Sequence, residues 1–314
     1  MKTAFRLMLV CLLFLGTALL VRAESPEVTH NTWTSGAPLP VALQYPMAGA
    51  IKTEIYVVGG VTHSAVVDNN QIYNPATNTW STGAAIPTTT MDGAVAVVKN
   101  VLYIFGGSND GVTATNAVWA YNPKTNTWTA KAAMPTARFS ADAAVYKNIV
   151  YVIGGNGNNG DLRLNTVESY NPATNTWTEE APLLVGKSEP SVGLLGTTIV
   201  AAGGYTLSGD TGDNEGYDVS TNSWKALATE LNPTNAACTG SISGQLYVAG
   251  GVTTSNTESF KEAKNKWTEQ SPMPQGVISA GSAVYDKVLY CFGGSDSGVA
   301  FQGTVYDYLQ IYQP

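Results

Sequence analysis

Five charged residues have types and spacing that could support binding chemistry. They are Asp92, Arg138, Asp142, Lys187 and Glu189. Paired cations and carboxylates at one opening can hold a carboxylated or hydroxylated small molecule, or an acidic peptide. The same residues could instead form a structural network of ion pairs that binds no ligand. Both interpretations remain open at the level of sequence.

These five residues are linked by their distance from a series of tryptophans. The series comprises Trp33, Trp80, Trp128, Trp177, Trp224 and Trp267. Arg138 and Lys187 follow a tryptophan by ten residues, Asp92 and Glu189 by twelve, and Asp142 by fourteen. Side chains alternate along a strand, so positions ten, twelve, fourteen and sixteen share one face, and all five residues are expected to point into a central channel. Every residue at position sixteen is Gly or Ala, as expected where six strands crowd around an axis.

The elements that must position these residues come from a sixfold repeat. A Gly-Gly doublet begins 26 residues after each tryptophan, at Gly59, Gly106, Gly154, Gly203, Gly250 and Gly293. A short apolar strand precedes each doublet, and a Tyr-containing strand and the Trp strand follow it. The octamer from Tyr73 to Trp80 recurs unchanged from Tyr170 to Trp177. The pattern predicts an all-β protein with four short antiparallel strands in each repeat.

The doublet, the Tyr and the Trp at these spacings resemble the kelch family of β-propellers over residues 29–314. The resemblance implies a six-bladed propeller. Its expected blades span residues 34–80, 81–128, 129–177, 178–224, 225–267 and 268–314, with 27–33 added to the last. Blade five departs from the pattern, with Phe260 in place of Tyr. The doublets, tyrosines and tryptophans are interpreted as structural.

The chain ends indicate how the ring closes. Residues 311–314 match 72–75 at the third strand of a repeat, and Thr29–Trp33 matches 77–80 at the outer strand. The N-terminal strand is therefore predicted to complete the last blade, which removes an open sheet edge.

The first 23 residues read as a signal peptide. Lys2 and Arg6 precede a run from Leu7 to Val21 without charge, which is short for a membrane span, and Val21-Arg22-Ala23 supplies small residues for cleavage. The mature chain, residues 24–314, is expected to be periplasmic or extracellular, and bacterial. Cys238 and Cys291 remain, and we expect buried free thiols, because two cysteines in different segments do not make a disulfide framework.

Charge and composition exclude several classes of function. The formal net charge of −7 disfavours nucleic acid and anionic membranes as partners. Gly155–Gly160 reads G-x-G-x-x-G, but a strand follows it instead of a helix, so it does not predict a dinucleotide site. The acidic run Asp210, Asp213, Glu215 and Asp218 lacks calcium-loop spacing. With two histidines in the chain, no metal and no cofactor are expected.

The most variable segments join the second and third strands, so the face that carries them is predicted to bind. The predicted function is an exported, monomeric interaction module that binds a protein or glycan, without catalysis. The alternative is enzymatic. Some six-bladed kelch proteins are sialic acid mutarotases, and the resemblance would give Arg138, Asp142, Lys187 and Glu189 the acid, base and orienting roles. An arginine often occupies the place of Arg138 in kelch proteins and sometimes contacts ligand.

Overall fold

A computed structural model describes residues 30–158, 163–252 and 254–314. In these ranges the chain forms six four-stranded antiparallel sheets, each a blade. The innermost strand of every blade contacts the innermost strands of both neighbours, so the six close a circle around one axis. The predicted all-β, six-bladed propeller is confirmed. The leader at residues 1–23 lies outside the described residues.

The strands occupy equivalent places in all six blades. The innermost strands are Met47–Ile51, Ala94–Val98, Asp142–Tyr146, Ser191–Leu195, Cys238–Ile242 and Gly281–Tyr285. The second strands are Glu54–Val58, Val101–Phe105, Ile149–Ile153, Thr198–Ala202, Gln245–Ala249 and Val288–Phe292. The third strands are Asn70–Asn74, Val118–Asn122, Val167–Asn171, Asn214–Asp218, Thr257–Lys261 and Leu309–Gln313. The outer strands are Thr79–Thr82, Thr127–Ala130, Thr176–Glu180, Ser223–Leu227, Lys266–Gln270 and Thr32–Ser35.

Two small elements complete the described chain. A hairpin of Tyr205–Thr206 and Gly209–Asp210 lies between the second and third strands of blade four. A three-residue 3-10 turn, Glu262–Lys264, precedes the outer strand of blade five. None of the helices in the described ranges is long and apolar enough to cross a membrane.

An asparagine two residues before each tryptophan joins neighbouring blades. The Oδ1 atom of Asn126 accepts hydrogen bonds from the Tyr121 hydroxyl at 2.8 Å and from the Ala84 N–H at 2.7 Å. The indole N–H of Trp128 donates to the Ala84 carbonyl at 2.8 Å, and its ring packs 5.0 Å from that of Tyr121. Ala84 lies just beyond the outer strand of the preceding blade. The octamer motif therefore encodes a contact between blades, and Phe260 in blade five loses only the hydroxyl bond.

The Gly-Gly doublet makes a second link between blades, shown here for Gly106 and Gly107. Both have positive φ, at 66° and 99°. A Cβ on Gly106 would collide with the carbonyl oxygen of Arg138, which precedes the innermost strand of the next blade. The N–H of Gly107 donates to that same carbonyl at 2.9 Å. The doublet therefore permits a backbone approach that a side chain would block.

The N-terminal strand closes the ring as predicted. Thr32–Ser35 pairs antiparallel with Leu309–Gln313, and Trp33 lies opposite Tyr312 with ring centroids 5.0 Å apart. The indole N–H of Trp33 donates to the carbonyl of Ser271 at 2.8 Å. The first strand thus occupies the outer place of blade six and makes the same contacts as the other outer strands.

Cys238 and Cys291 are joined, so the prediction of free thiols is wrong. Cys238 and Cys291 form a disulfide with Cα atoms 5.8 Å apart. The bond connects the innermost strand of blade five to the second strand of blade six. Both residues are buried, as their apolar surroundings in the sequence indicate. A separation of 53 residues along the chain gives no sign that the two positions face each other across a blade interface.

Because the N-terminal strand closes the ring, a short N-terminal truncation should lower the stability of the protein strongly. A chain beginning at residue 34 lacks Trp33 and half of the outer strand of blade six, which costs about 2–3 kcal/mol for the indole alone. We expect its melting temperature to fall sharply, while a chain beginning at residue 30 melts like the mature protein. Thermal unfolding followed by circular dichroism measures both. Equal melting of the two chains would show that the strand does not support the ring.

Candidate functional site

Six residues, each twelve positions after a tryptophan, form a closed ring around the axis. They are Tyr45, Asp92, Ser140, Glu189, Ala236 and Ser279, all with φ between 48° and 60°. Each N–H donates to the carbonyl of the equivalent residue in the preceding blade, at 2.7 to 3.3 Å, and Tyr45 completes the circle by donating to Ser279. We call these residues the axial ring.

The axial ring separates two cavities along the axis. A cavity of 460 Å³ opens on the face that carries the connections between second and third strands. A cavity of 360 Å³ continues between the innermost strands. Tyr45, Asp92, Ser140 and Glu189 line both cavities. Two of the five predicted site residues, Asp92 and Glu189, therefore lie at the channel mouth.

These two carboxyl groups are poorly neutralised. The Ser140 hydroxyl donates to Oδ2 of Asp92 at 2.5 Å, whereas no hydrogen bond or ion pair holds the Glu189 carboxylate within the described residues. Burial and the charge of Glu189 raise the pKa of Asp92 well above its ordinary value. Burial raises the pKa of Glu189 to about 7, although the charge of Arg163 opposes the rise. Both groups therefore favour a proton, or another cation, at neutral pH.

Asp142 lines the channel-side cavity, but its carboxylate is engaged with backbone. Its Oδ2 atom accepts a hydrogen bond from the N–H of Val192 at 3.0 Å, which links blades three and four. Burial raises its pKa to about 6. Asp142 thus shares the channel with Asp92 and Glu189 and also braces the blade interface.

Arg138 and Lys187 lie elsewhere, and the expectation that they enter the channel is wrong. Neither lines either cavity. Arg138 pairs with Glu168 at 2.7 Å and Lys187 with Glu215 at 3.1 Å, and both basic side chains are fully buried. The positive φ at position twelve interrupts the alternation that was assumed from position ten to sixteen. The ion-pair interpretation describes these two residues, and a contact of any of the five with ligand stays a prediction.

Blade five contains the glutamate that forms the buried ion pair in blades three and four, but it lacks the basic partner. Glu258 is equivalent to Glu168 and Glu215, but Thr234 occupies the position of Arg138 and Lys187. Glu230 lies close to Glu258, and the two are 6% and 2% exposed. Burial, and the charge of Glu258, raise the pKa of Glu230 well above its ordinary value, and burial raises that of Glu258 to about 7.

The loop-side cavity also contains residues that the sequence did not identify as site residues. The Arg163 guanidinium lies 4.9 Å from the centre of the Tyr205 ring, and its Nη1 atom donates to Oδ1 of Asn156 at 2.6 Å. They belong to variable connections, which the repeat does not align, so the sequence offered only the expectation that this face binds. The last two residues of the G-x-G-x-x-G segment, 159 and 160, lie outside the described residues. Within the described ranges, no group of three or more potential metal ligands occurs.

Substitution of Glu230 tests what the burial of its carboxyl group costs in stability. The residues at the same position in the other five blades provide the reference. This position is apolar in the other five blades: Leu39, Ile86, Met134, Leu183 and Met273. Because the folded-state pKa of Glu230 is raised above its unfolded value, the stability contribution of this group is fully present at acid pH and is lost as pH rises towards the folded-state pKa. We expect Glu230→Met to stabilise the protein by about 1–3 kcal/mol at pH 8 and by less at pH 5.

Chemical denaturation at the two pH values measures this difference. The matched control is Glu179→Met, at an exposed position of an outer strand, which should change stability little at either pH. A gain for Glu230→Met that does not depend on pH would contradict the assignment of a buried, proton-binding carboxyl.

Comparisons with known proteins agree with this architecture. A sequence model described as the KLHDC2/KLHL20/DRC7 Kelch-repeats domain matches residues 47–192. A solved structure described as "Structure of YjhT" has a TM-score of 0.75 at 18% sequence identity, over 88% of this chain and 96% of that chain. No curated protein matches the sequence. At this identity the structural likeness shows the fold alone. The six repeats and their Gly-Gly, Tyr and Trp contacts establish a six-bladed β-propeller, and residues 47–192 of it match the Kelch-repeat model.

Proposed function

We propose that the protein is a binding module that docks a protein partner on its loop face. This face carries the connections between second and third strands and those between successive blades. The supporting observation is the location of exposed apolar side chains. All ten large apolar residues that are exposed in the described chain lie in connections of this face: Val41, Val112, Leu184, Val185, Tyr205, Leu207, Leu231, Val299, Phe301 and Tyr308.

The opposite face provides a contrast within the same molecule. Its short turns carry exposed polar and charged residues, among them Lys52, Lys99 and Lys147. Water solvates such side chains well, whereas exposed apolar groups on a soluble protein commonly mark an interaction surface. Leu207, at 83% exposure, has no packing role in the blade that carries it. The asymmetry between the faces favours a partner that buries aliphatic and aromatic side chains.

A protein fits this surface better than a glycan, the other partner predicted from the sequence. Aliphatic residues such as Leu207 and Val299 gain from contact with apolar side chains, and sugars offer few such groups. The mutarotase alternative assigned Arg138 and Lys187 to a sugar acid. Both pair with buried glutamates outside the two cavities, so binding without catalysis remains the function we propose.

Export is part of this proposal. The Cys238–Cys291 disulfide supports it, because disulfides persist in oxidising compartments such as the periplasm and the extracellular space. We expect the exported protein to begin at Glu24, which N-terminal sequencing of the chain recovered from the periplasm or medium determines. A chain that retains residues 1–23 and stays in the cytoplasm would contradict export.

The docking face is tested with paired variants on the two faces. Leu207→Glu combined with Val299→Glu places charge on the loop face, and Lys124→Glu changes charge on an exposed turn of the opposite face. We expect a partner that binds the immobilised wild-type chain and Lys124→Glu to bind the double variant about tenfold more weakly or worse. Dissociation constants from surface plasmon resonance measure this. Equal binding of the double variant would contradict docking on this face.

A further inference from the structure

The channel mouth combines features that favour a particular ligand charge. In the axial ring, every N–H donates to a neighbouring carbonyl, so the ring offers a ligand no free backbone donor. Recognition must therefore come from the side chains. An anion, which depends on donors, gains little from such a ring.

The charged side chains that line the two cavities are mainly acidic. Asp92, Asp142 and Glu189 contribute three carboxyl groups, and Arg163 is the one Lys or Arg in the described lining. Arg138 and Lys187, which would have neutralised two of these carboxylates, lie in ion pairs outside the cavities. The sequence favoured an acidic or carboxylated ligand because it placed these two cations in the channel. Their actual position leaves three carboxyl groups and one cation in the lining, which favours a cationic ligand.

A second observation points to a ligand at the same place. Ser279, a member of the axial ring, is 4% exposed and lines the channel-side cavity, and its buried Oγ atom lies beside the Tyr45 hydroxyl and accepts no hydrogen bond within the described residues. In ring order, Ser279 lies opposite Ser140, with Asp92 and Glu189 on either side of Ser140. An ammonium group placed among them could donate to the carboxylates and to the unused hydroxyl oxygen.

We propose that the channel mouth binds an alkylammonium group, carried by a lysine side chain of the docked protein, between Asp92 and Glu189. The inference rests on the proposed protein docking at the loop face. Tyr45 and Tyr205 line the loop-side cavity, where they can contact the aliphatic stem and face the positive charge. An ammonium on a flexible four-carbon stem can reach below a docked surface into this opening.

Binding should depend on pH in a defined direction. Because the pKa of Glu189 is raised to about 7, an arriving cation must replace a proton, and binding becomes tighter as pH rises from 6 to 8. The titratable or charged groups around this pair are Tyr45, Asp92, Asp142, Arg163, Glu189 and Asp210. Of these, Glu189 should dominate the change in this range.

The test uses the mature protein and three small probes. Nα-acetyl-lysine methylamide carries the ammonium, its norleucine analogue carries only the stem, and 6-acetamidohexanoate carries a carboxylate. We expect the lysine probe to bind with a millimolar constant in NMR titrations and the other two to bind about tenfold more weakly or worse. Binding of the carboxylate that equals or exceeds binding of the amine, or no binding of the amine at millimolar concentration, would overturn the proposal.

Substitutions at the channel mouth test whether the lysine probe binds there. Glu189→Gln and Asp92→Asn keep side-chain shape and should each weaken the lysine probe about tenfold, and Glu189→Gln should also reduce the dependence on pH. Their melting temperatures should equal or exceed that of the wild type at pH 8, because each removes a buried charge. Glu179→Gln, on an outer strand, is the control and should bind normally. Unchanged binding by both folded variants would overturn the proposal.

The two proposals fail in different ways. Partner binding that survives while the lysine probe does not bind would reject the cation site alone. Binding of the lysine probe, with no partner sensitive to Leu207→Glu and Val299→Glu, would reject protein docking and identify a free amine as the source of the cation.

Discussion

The closed circle of six backbone hydrogen bonds in the axial ring is the constraint from which the arrangement around the axis follows. Each blade contributes one residue in the left-handed conformation, whose N–H and carbonyl point along the circle towards its two neighbours. The innermost strand begins two residues later. The ring therefore fixes where the innermost strand of each blade begins, and it directs its own six side chains towards the channel.

The same constraint explains which charges meet. Asp92 and Glu189, at position twelve, lie at the channel mouth. Arg138 and Lys187, at position ten, precede the left-handed turn and lie in the body of their blades. There the two cations neutralise Glu168 and Glu215. Buried ion pairs of this kind contribute little net stability, because the cost of desolvation offsets their attraction. Blade five folds with the glutamate alone, since Thr234 replaces the basic residue there.

Much of the fold could be predicted from the sequence because its signals are local and repeated. The distance from Trp to Gly-Gly, the Tyr–Asn–Trp octamer and the matching chain ends defined six blades and their closure. The site was only partly predictable, because one residue with positive φ in each blade interrupts the alternation of side chains. Positions ten and twelve therefore point in different directions. Residues such as Tyr45 and Ser140 rarely adopt positive φ. Since no Gly or Asn occupies position twelve, the sequence did not indicate a left-handed turn there. The disulfide joins segments whose proximity depends on the whole ring.

The clasp strand also sets the order in which the molecule can be completed. Trp33 is among the first residues of the propeller to be synthesised, yet its partner Tyr312 is the third residue from the end of the chain. Blades one to five can pair their own strands as they emerge, but blade six must wait for both termini. Contacts so distant in sequence form slowly, since a long loop must close first. A nascent chain therefore holds its earliest strand unpaired until the third strand of blade six has been made.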